Sequence, residues 1–317
     1  MRALITGISG FVGTNLANVL HQKGYEVWGT TRKSCPSTSF KTPVGRIIPI
    51  DYNNEENIQA IINEIRPDEI YHLAGQSSVR ISWDNKVETI ETNMISTVRL
   101  LEAFRKSDMA KTTKLLMVGS SEEYGAIING GTAILEENVL KPISPYGVSK
   151  AATSLLFQQY VNVYGLNLLY ARPFNHIGPG QGPGFVTSDF AQQIAKIEQG
   201  KSAPVIAVGN LDAQRDFTDV RDIVRAYTML MEKGRIGEVY NVCSGEPISI
   251  RNILYNFLSQ STNQNIEIQQ DENKMRPSEF PIYIGDSSKI REHTGWRKEY
   301  LIEKSLQDIL NYWRNLN

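Results

Sequence analysis

Cysteine is scarce in this sequence of 317 residues: Cys35 and Cys243 are its only two. They lie far apart and without metal-ligand spacing, so neither a disulfide scaffold nor a zinc ribbon can be built from them. One disulfide between them is formally open, but two unpaired thiols in a reducing compartment are the expected state. The histidines, His21, His72, His176 and His293, are scattered, and no metal site is expected. Net charge is also nearly absent. The 33 basic and 34 acidic side chains leave −1, too little to collect a polyanion or an anionic membrane. Neither nucleic acid nor membrane is therefore an expected partner. No apolar run approaches the roughly 18 residues that span a bilayer. Arg2–Gly7 reads as a strand entering a turn rather than as a signal peptide, and a cytoplasmic protein is expected. Internal repeats and low-complexity stretches are missing.

What the sequence does have is alternation. Strand-like runs at Ala3–Thr6, Glu26–Thr30, Arg46–Ile50, Asp68–Ala74, Lys114–Ser120 and Leu166–Ala171 are separated by helix-like runs. The helices are expected at Asn15–Lys23, Ile58–Ile65, Thr89–Lys106 and Ser144–Tyr164. Such alternation predicts an α/β Rossmann fold, a doubly wound parallel sheet sandwiched between helices. Past Arg172 a Gly- and Pro-rich stretch, Pro173–Gly184, breaks the rhythm. Helices at Val186–Gln199 and Asp219–Glu232, strands at Val205–Val208 and Val239–Val242, and a last helix at Leu301–Asn315 follow. This predicts a smaller α/β C-terminal domain. Residues 1–173, with 214–245 returning, are expected to form the dinucleotide-binding part; 174–213 and 246–317 form the other.

Between the first strand and first helix stands Thr6-Gly7-Ile8-Ser9-Gly10-Phe11-Val12-Gly13. A GxxGxxG turn here lets the backbone approach a pyrophosphate, which then meets helix N–H groups. Gly7, Gly10, Phe11, Val12 and Gly13 are thus candidate cofactor residues. The second strand ends in Thr30-Thr31-Arg32 without a carboxylate for ribose hydroxyls. Thr31 and Arg32 suit a 2′-phosphate, so NADPH is expected, with NADH the alternative. Asp51, after the third strand, is placed near the adenine or as a cap of the next helix. Leu73, Ala74 and Gly75, after the fourth, would let the cofactor pass close to the backbone.

Ser144-Pro145-Tyr146-Gly147-Val148-Ser149-Lys150 opens a helix, with Ser144 as N-cap and Pro145 in the first turn. Tyr146 and Lys150, four apart, project from one face. An ammonium beside a phenol lowers the phenol pKa from about 10 and readies it for acid–base work. Ser120 ends the fifth strand, where ligands sit in an open parallel sheet, and is expected to share an oxygen with Tyr146. Ser121 and Glu122 are candidate substrate contacts, whereas Glu123 is expected to be a solvated loop charge. Trp83, Trp296 and Trp313 are expected to pack.

These stretches resemble the extended short-chain dehydrogenases/reductases. The resemblance is carried by TGxxGFVG at 6–13, HLAG at 72–75, SSEEYG at 120–125, PYGVSK at 145–150, RPFNHIGPGQGPGF at 172–185, RDFTDVRD at 215–222 and RPSE at 276–279. It implies a catalytic Ser120, Tyr146 and Lys150, with Asn93 behind them. It also implies a nucleotide diphosphate held by Asn175, Arg215, Arg276 and Glu279, with Phe185 and Val186 flanking the nucleotide. The activity implied is reduction of the C4 ketone of GDP-4-dehydro-6-deoxy-D-mannose to GDP-D-rhamnose, in a homodimer paired through Asn93–Lys106 and Ser144–Tyr164. Dehydration of GDP-mannose is the rival, and a non-catalytic nucleotide sensor a distant one. Serine rather than threonine at 120, and the lack of a basic cluster over Gly184–Gln193, favour the reductase, although Glu122 is retained.

Overall fold

A computed structural model describes residues 1–32, 45–126, 132–274 and 282–316. The first half alternates β1 (Arg2–Thr6), α1 (Phe11–Gln22), β2 (Glu26–Arg32), β3 (Arg46–Ile50), α2 (Glu55–Ile65), β4 (Glu69–His72), α3 (Val79–Asp84), α4 (Lys86–Ile90), α5 (Ser96–Lys106), β5 (Lys114–Val118), α6 (Pro145–Tyr164) and β6 (Leu168–Pro173). Then come β7 (Asn175–Ile177), α7 (Val186–Glu198), β8 (Val205–Val208), β9 (Gln214–Asp219), α8 (Val220–Lys233) and β10 (Val239–Val242). The chain ends with β11 (Pro247–Ser249), α9 (Ile250–Ser259), β12 (Glu267–Gln270), β13 (Ile282–Tyr283), α10 (Ser288–Thr294) and α11 (Ile302–Leu316).

Seven strands pair in the order β10-β6-β5-β4-β1-β2-β3, and every pairing is parallel. The order reverses between β1 and β4, which is where a doubly wound sheet opens its ligand crevice. The Rossmann architecture expected from the alternation is the one observed. Both faces of the sheet are covered. Ile223, Val224, Tyr227, Leu230 and Met231 recur at helical spacing on α8 and pack with Leu16 and Leu20 of α1. On the other face Ile58, Ile61, Ile62 and Ile65 of α2 meet Leu100, Leu101 and Phe104 of α5, and Phe157 and Tyr160 of α6. Burying each such side chain stabilises the fold by roughly 1.5–3 kcal/mol. Pro49, which cannot donate to a ladder, sits in β3 at the sheet edge.

The C-terminal elements form a separate core of α7, α9 and α11 against β8, with Phe190, Ile194, Ile206, Leu254, Phe257, Leu306 and Leu310 inside it. Small sheets, β11-β9-β13 with β7 on β9, and β12-β8, line it. The chain rejoins the large sheet at α8 rather than at residue 214, because β9 pairs with β7, β11 and β13. The helix expected over Thr89–Lys106 begins at Lys86 and contains a π turn at Glu91–Ile95. The strand expected at Leu166–Ala171 runs over Leu168–Pro173. Trp296 and Trp313 pack as expected, 1% and 7% exposed, but Trp83 is 46% exposed on short α3. Cys243 is a free, buried thiol; Cys35 lies outside the described residues.

Candidate active site

The turn after β1 is built where no side chain fits. Gly7 has φ +71°, and a Cβ there would press on the Ala74 backbone at 2.9 Å. One on Gly13 would meet the Gly7 carbonyl at 2.5 Å and Ile8 Cα at 2.8 Å. Gly10 is the N-cap of α1, without a side-chain cap bond, which leaves the first-turn N–H groups available to an anion. The cradle fits a dinucleotide pyrophosphate. Val12 and Leu73 are partly buried, and Phe11 stacks its ring on His176 with centroids 6.2 Å apart. Ala74 donates its N–H to Thr6 Oγ1 at 3.2 Å. Thr31 is buried at the end of β2, with Arg32 as the last residue of that strand. Asp51 accepts from the Asn53 N–H at 3.0 Å. It does not cap α2; Asn54 does, accepting from Asn57 at 2.9 Å.

Next to this cradle lies a polar corner. A Cβ on Gly75 would come within 3.0 Å of Asn93 Oδ1 and 3.8 Å of Lys150 Nζ, so cradle and corner adjoin. Asn93 sits in the π turn, a winding often found at functional sites. Its Oδ1 accepts from Gln76 N–H at 2.8 Å, and its Nδ2 donates to the Gln76 carbonyl (3.0 Å) and to Ser149 Oγ (2.9 Å). Ser149 in turn donates to the Tyr146 carbonyl at 2.7 Å. α6 begins as its sequence dictates: Ser144 Oγ accepts from Gly147 N–H at 3.0 Å, and Pro145 follows. Such a cap stabilises a helix by about 1 kcal/mol.

Tyr146 is buried, with Ser120 near enough to bear on its hydroxyl. Burial raises the Tyr146 pKa, with Glu122 and Glu123 adding to the rise and Ser120 opposing it. This corrects the expectation that Lys150 lowers it. Lys150 Nζ donates instead to the Val118 carbonyl at 2.8 Å, and burial brings its own pKa down to about 8. Ser120 closes β5 and caps a short 3₁₀ turn at Ser121–Glu123, its Oγ accepting from Glu122 N–H at 3.2 Å.

Glu123 overturns its expected role as a solvated charge. It is fully buried and accepts from Ser120 N–H at 2.8 Å, Tyr170 OH at 2.8 Å and Arg172 Nε at 2.7 Å. The missed signal was spacing: Ser-x-x-Glu is a capping box, in which the glutamate turns back to the cap N–H. Tyr283 was also missed. Its hydroxyl donates to the Ser121 carbonyl at 2.6 Å, and β13 sets it beside Arg215 of β9. No pattern in the sequence pointed to it.

Of the other candidates, Ser121 is buried and Glu122 half-buried next to Ser120. Arg215 donates to the Gln214 carbonyl at 2.8 Å. Asn175, on neighbouring β7, donates to the Asp216 carbonyl at 3.4 Å. Phe185 is the N-cap residue of α7 and Val186 its first residue, both half-buried. Arg276 and Glu279 lie outside the described residues. Among the described residues no His/Cys/Asp/Glu cluster could hold a metal, and no helix is long and apolar enough to cross a membrane.

A glycine-turn cradle on a doubly wound sheet, adjoining a serine, a tyrosine and a lysine one helical turn further on, defines the extended short-chain dehydrogenase/reductase class. Within it the GDP-mannose 4,6-dehydratase family model matches residues 4–309, and the chain belongs to that family. It is 34% identical to GDP-6-deoxy-D-mannose reductase of Pseudomonas aeruginosa over 99% of this chain and 97% of that protein. To human GDP-mannose 4,6-dehydratase it is 29% identical, over 98% and 90%. Among solved structures, RMD from Pseudomonas aeruginosa complexed with NADPH superposes with a TM-score of 0.84 at 34% identity, covering 100% and 99% of the two chains. The UDP-glucose 4-epimerase of Thermotoga maritima with UDP-glucose gives 0.85 at 25% identity, covering 100% and 99%. The chain is an NAD(P)-dependent oxidoreductase of GDP-sugar metabolism.

Proposed function

We propose that this protein reduces the C4 ketone of GDP-4-dehydro-6-deoxy-D-mannose to GDP-D-rhamnose, using NADPH. The observation that carries the reading is buried Tyr146 set near Ser120 at the carboxyl end of β5, with Lys150 one turn along α6 and the glycine cradle alongside. Gly7, Gly10, Phe11, Val12, Gly13, Leu73, Ala74 and Gly75 would hold the dinucleotide, with Thr31 and Arg32 at its 2′-phosphate. Bound NADPH would supply hydride. Tyr146 would give its proton to the ketone oxygen, and Ser120 would donate a hydrogen bond to the same oxygen as charge develops there. The raised pKa keeps Tyr146 in the protonated form that reduction consumes. Ser188 and Asp189 also favour the reductase. Both are spent locally, Ser188 Oγ donating to the Gln181 carbonyl at 2.9 Å and Asp189 accepting from Gly184 N–H at 2.7 Å. Asn175, Arg215, Arg276 and Glu279 would take the GDP-sugar, with β9 assigned to that half of the molecule.

The test supplies the 4-keto sugar with NADPH and, separately, GDP-mannose without reductant. Oxidation of NADPH in the first and silence in the second is the expected pair. A 4-keto product from GDP-mannose alone would make the protein a dehydratase, and inertness in both a non-catalytic member. Tyr146→Phe should lower kcat about 10³-fold with the sugar KM nearly unchanged; a wild-type kcat would remove the tyrosine from the chemistry.

The homodimer is part of the same proposal. Val148, Leu155 and Val163 stand exposed along one side of α6, and Val87 of α4 is 73% exposed. Neighbouring apolar side chains left open on packed helices suit a helix-pair interface. Leu155→Arg should halve the molar mass measured by light scattering; an unchanged mass would place the interface elsewhere.

A further inference from the structure

Resting on the reductase reading, we infer that Glu123, locked by Arg172, is a positioning residue that sets both Ser120 and Lys150 from behind the site. The carboxylate is sealed from water, and each oxygen is committed. One takes the Ser120 N–H and the Tyr170 hydroxyl, each at 2.8 Å; the other takes Arg172 Nε at 2.7 Å. Three donors and no acceptor converge on it, which is the surrounding of an ionised carboxylate. Burial pushes its pKa up, and Arg172 holds it down.

Two arms run from this carboxylate to the reacting corner. The Ser120 arm is direct, since the N–H that Glu123 holds belongs to the serine that lies near Tyr146. The Lys150 arm runs through Tyr170, whose hydroxyl also contacts the Lys150 carbonyl and Thr153 Oγ1, each at 3.1 Å. That fixes the turn of α6 from which the ammonium departs. Arg172 is itself spent on the frame. It donates to Tyr124 OH at 3.1 Å, the Glu136 carbonyl at 3.2 Å and Ser154 Oγ at 2.8 Å, and its guanidinium lies 4.9 Å over the Tyr124 ring. The chain leaves room for this device at Gly119, where a Cβ would collide with Glu123 Oε1 and the Tyr170 ring.

The arrangement also has an electrostatic consequence. Among the described residues, the titratable groups coupled to Lys150 are Glu123 behind β5 and His72 at the end of β4. His72 is neutral, its pKa brought down to about 3 by burial and by Lys150. Among the described residues, Glu123 is therefore the anion that opposes the burial that lowers Lys150. Its removal would lower Lys150 further.

Glu123→Gln alone would strand a buried guanidinium and risk unfolding, so two other variants carry the test. Tyr170→Phe cuts the Lys150 arm without changing charge; kcat for the 4-keto sugar should fall about tenfold with KM within twofold. Glu123→Gln with Arg172→Met removes the ion pair together. In it, the ¹³C-dimethyl-lysine resonance of Lys150, assigned with Lys150→Arg, should titrate about one pH unit lower than in wild type, and the alkaline limb of kcat should move with it. Unchanged kcat in Tyr170→Phe, or lost stability with an unmoved Lys150 titration, would reduce Glu123 to a structural ion pair. If the double variant does not fold, Tyr170→Phe decides. If wild type turns over no sugar, the reductase reading falls, while the Lys150 titration still decides this one.

Discussion

The glycine turn after β1 and the corner around Ser120, Tyr146 and Lys150 adjoin at Gly75, yet they are made of different material. The turn is backbone brought close to backbone, and its specificity lies in atoms that are missing: Gly7 and Gly13 leave 2.9 and 2.5 Å where a Cβ would stand. The corner is the reverse. It is a set of side chains whose positions are passed down a buried hydrogen-bond network from Arg172 and Glu123 to Ser120, and from Asn93 through Ser149 to Tyr146. A cradle of the first kind binds an anion with little chemistry of its own. The second kind can hold a proton at a chosen atom.

Substitutions that add one methyl to either half should separate their roles. The largest effect is expected from Gly119→Ala, which forces Glu123 and Tyr170 apart; stability should fall by about 3 kcal/mol and kcat with it, while NADPH affinity stays within a few-fold. Urea melts, steady-state kinetics and cofactor titration measure the three. Gly13→Ala should do the opposite. It costs about 2 kcal/mol, weakens NADPH binding about tenfold or more, and leaves the pH profile of the remaining turnover in place. Loss of kcat alone in Gly13→Ala would collapse the distinction between the halves.

A smaller effect comes from His72, which joins the two regions: its Nδ1 meets Thr6 Oγ1 at 2.8 Å and its Nε2 meets Thr97 Oγ1 at 3.0 Å. Its folded pKa of about 3 lies below the ordinary 6.5, so below pH 6.5 the unfolded chain binds the extra proton. Stability from this residue is complete above 6.5 and is lost as the pH falls toward 3, at up to about 1.4 kcal/mol per unit. Denaturant melts at pH 7 and 5.5 compare this slope with that of His72→Gln, which should be flatter. Equal slopes would assign the acid sensitivity to other groups.

The contrast also explains how much could be read in advance. The alternating strands, the cap at Ser144 and the glycine turn are local features whose cause lies within a few residues, and each appears in the fold, the strands with their ends within about two residues of those expected. The network behind Ser120 is non-local. Glu123 meets Tyr170 and Arg172 only because β5 and β6 pair, and Tyr283 reaches Ser121 only because β13 docks on β9. Pairing of that kind has no signature along the chain. The orientation of Lys150 is non-local for a related reason: one-turn spacing on a helix gives a shared face, but the Val118 carbonyl, from β5, decides where the ammonium points.

The π turn at Glu91–Ile95 has a consequence for tolerated change in length. A helix that carries one residue beyond its regular winding is out of phase with itself across that point. Deleting a single residue there would let the winding become regular and swing everything on its N-terminal side by about 100°. Asn93 would then let go of Gln76 and Ser149 together, so a shorter and locally more ideal helix would disconnect the tyrosine's support.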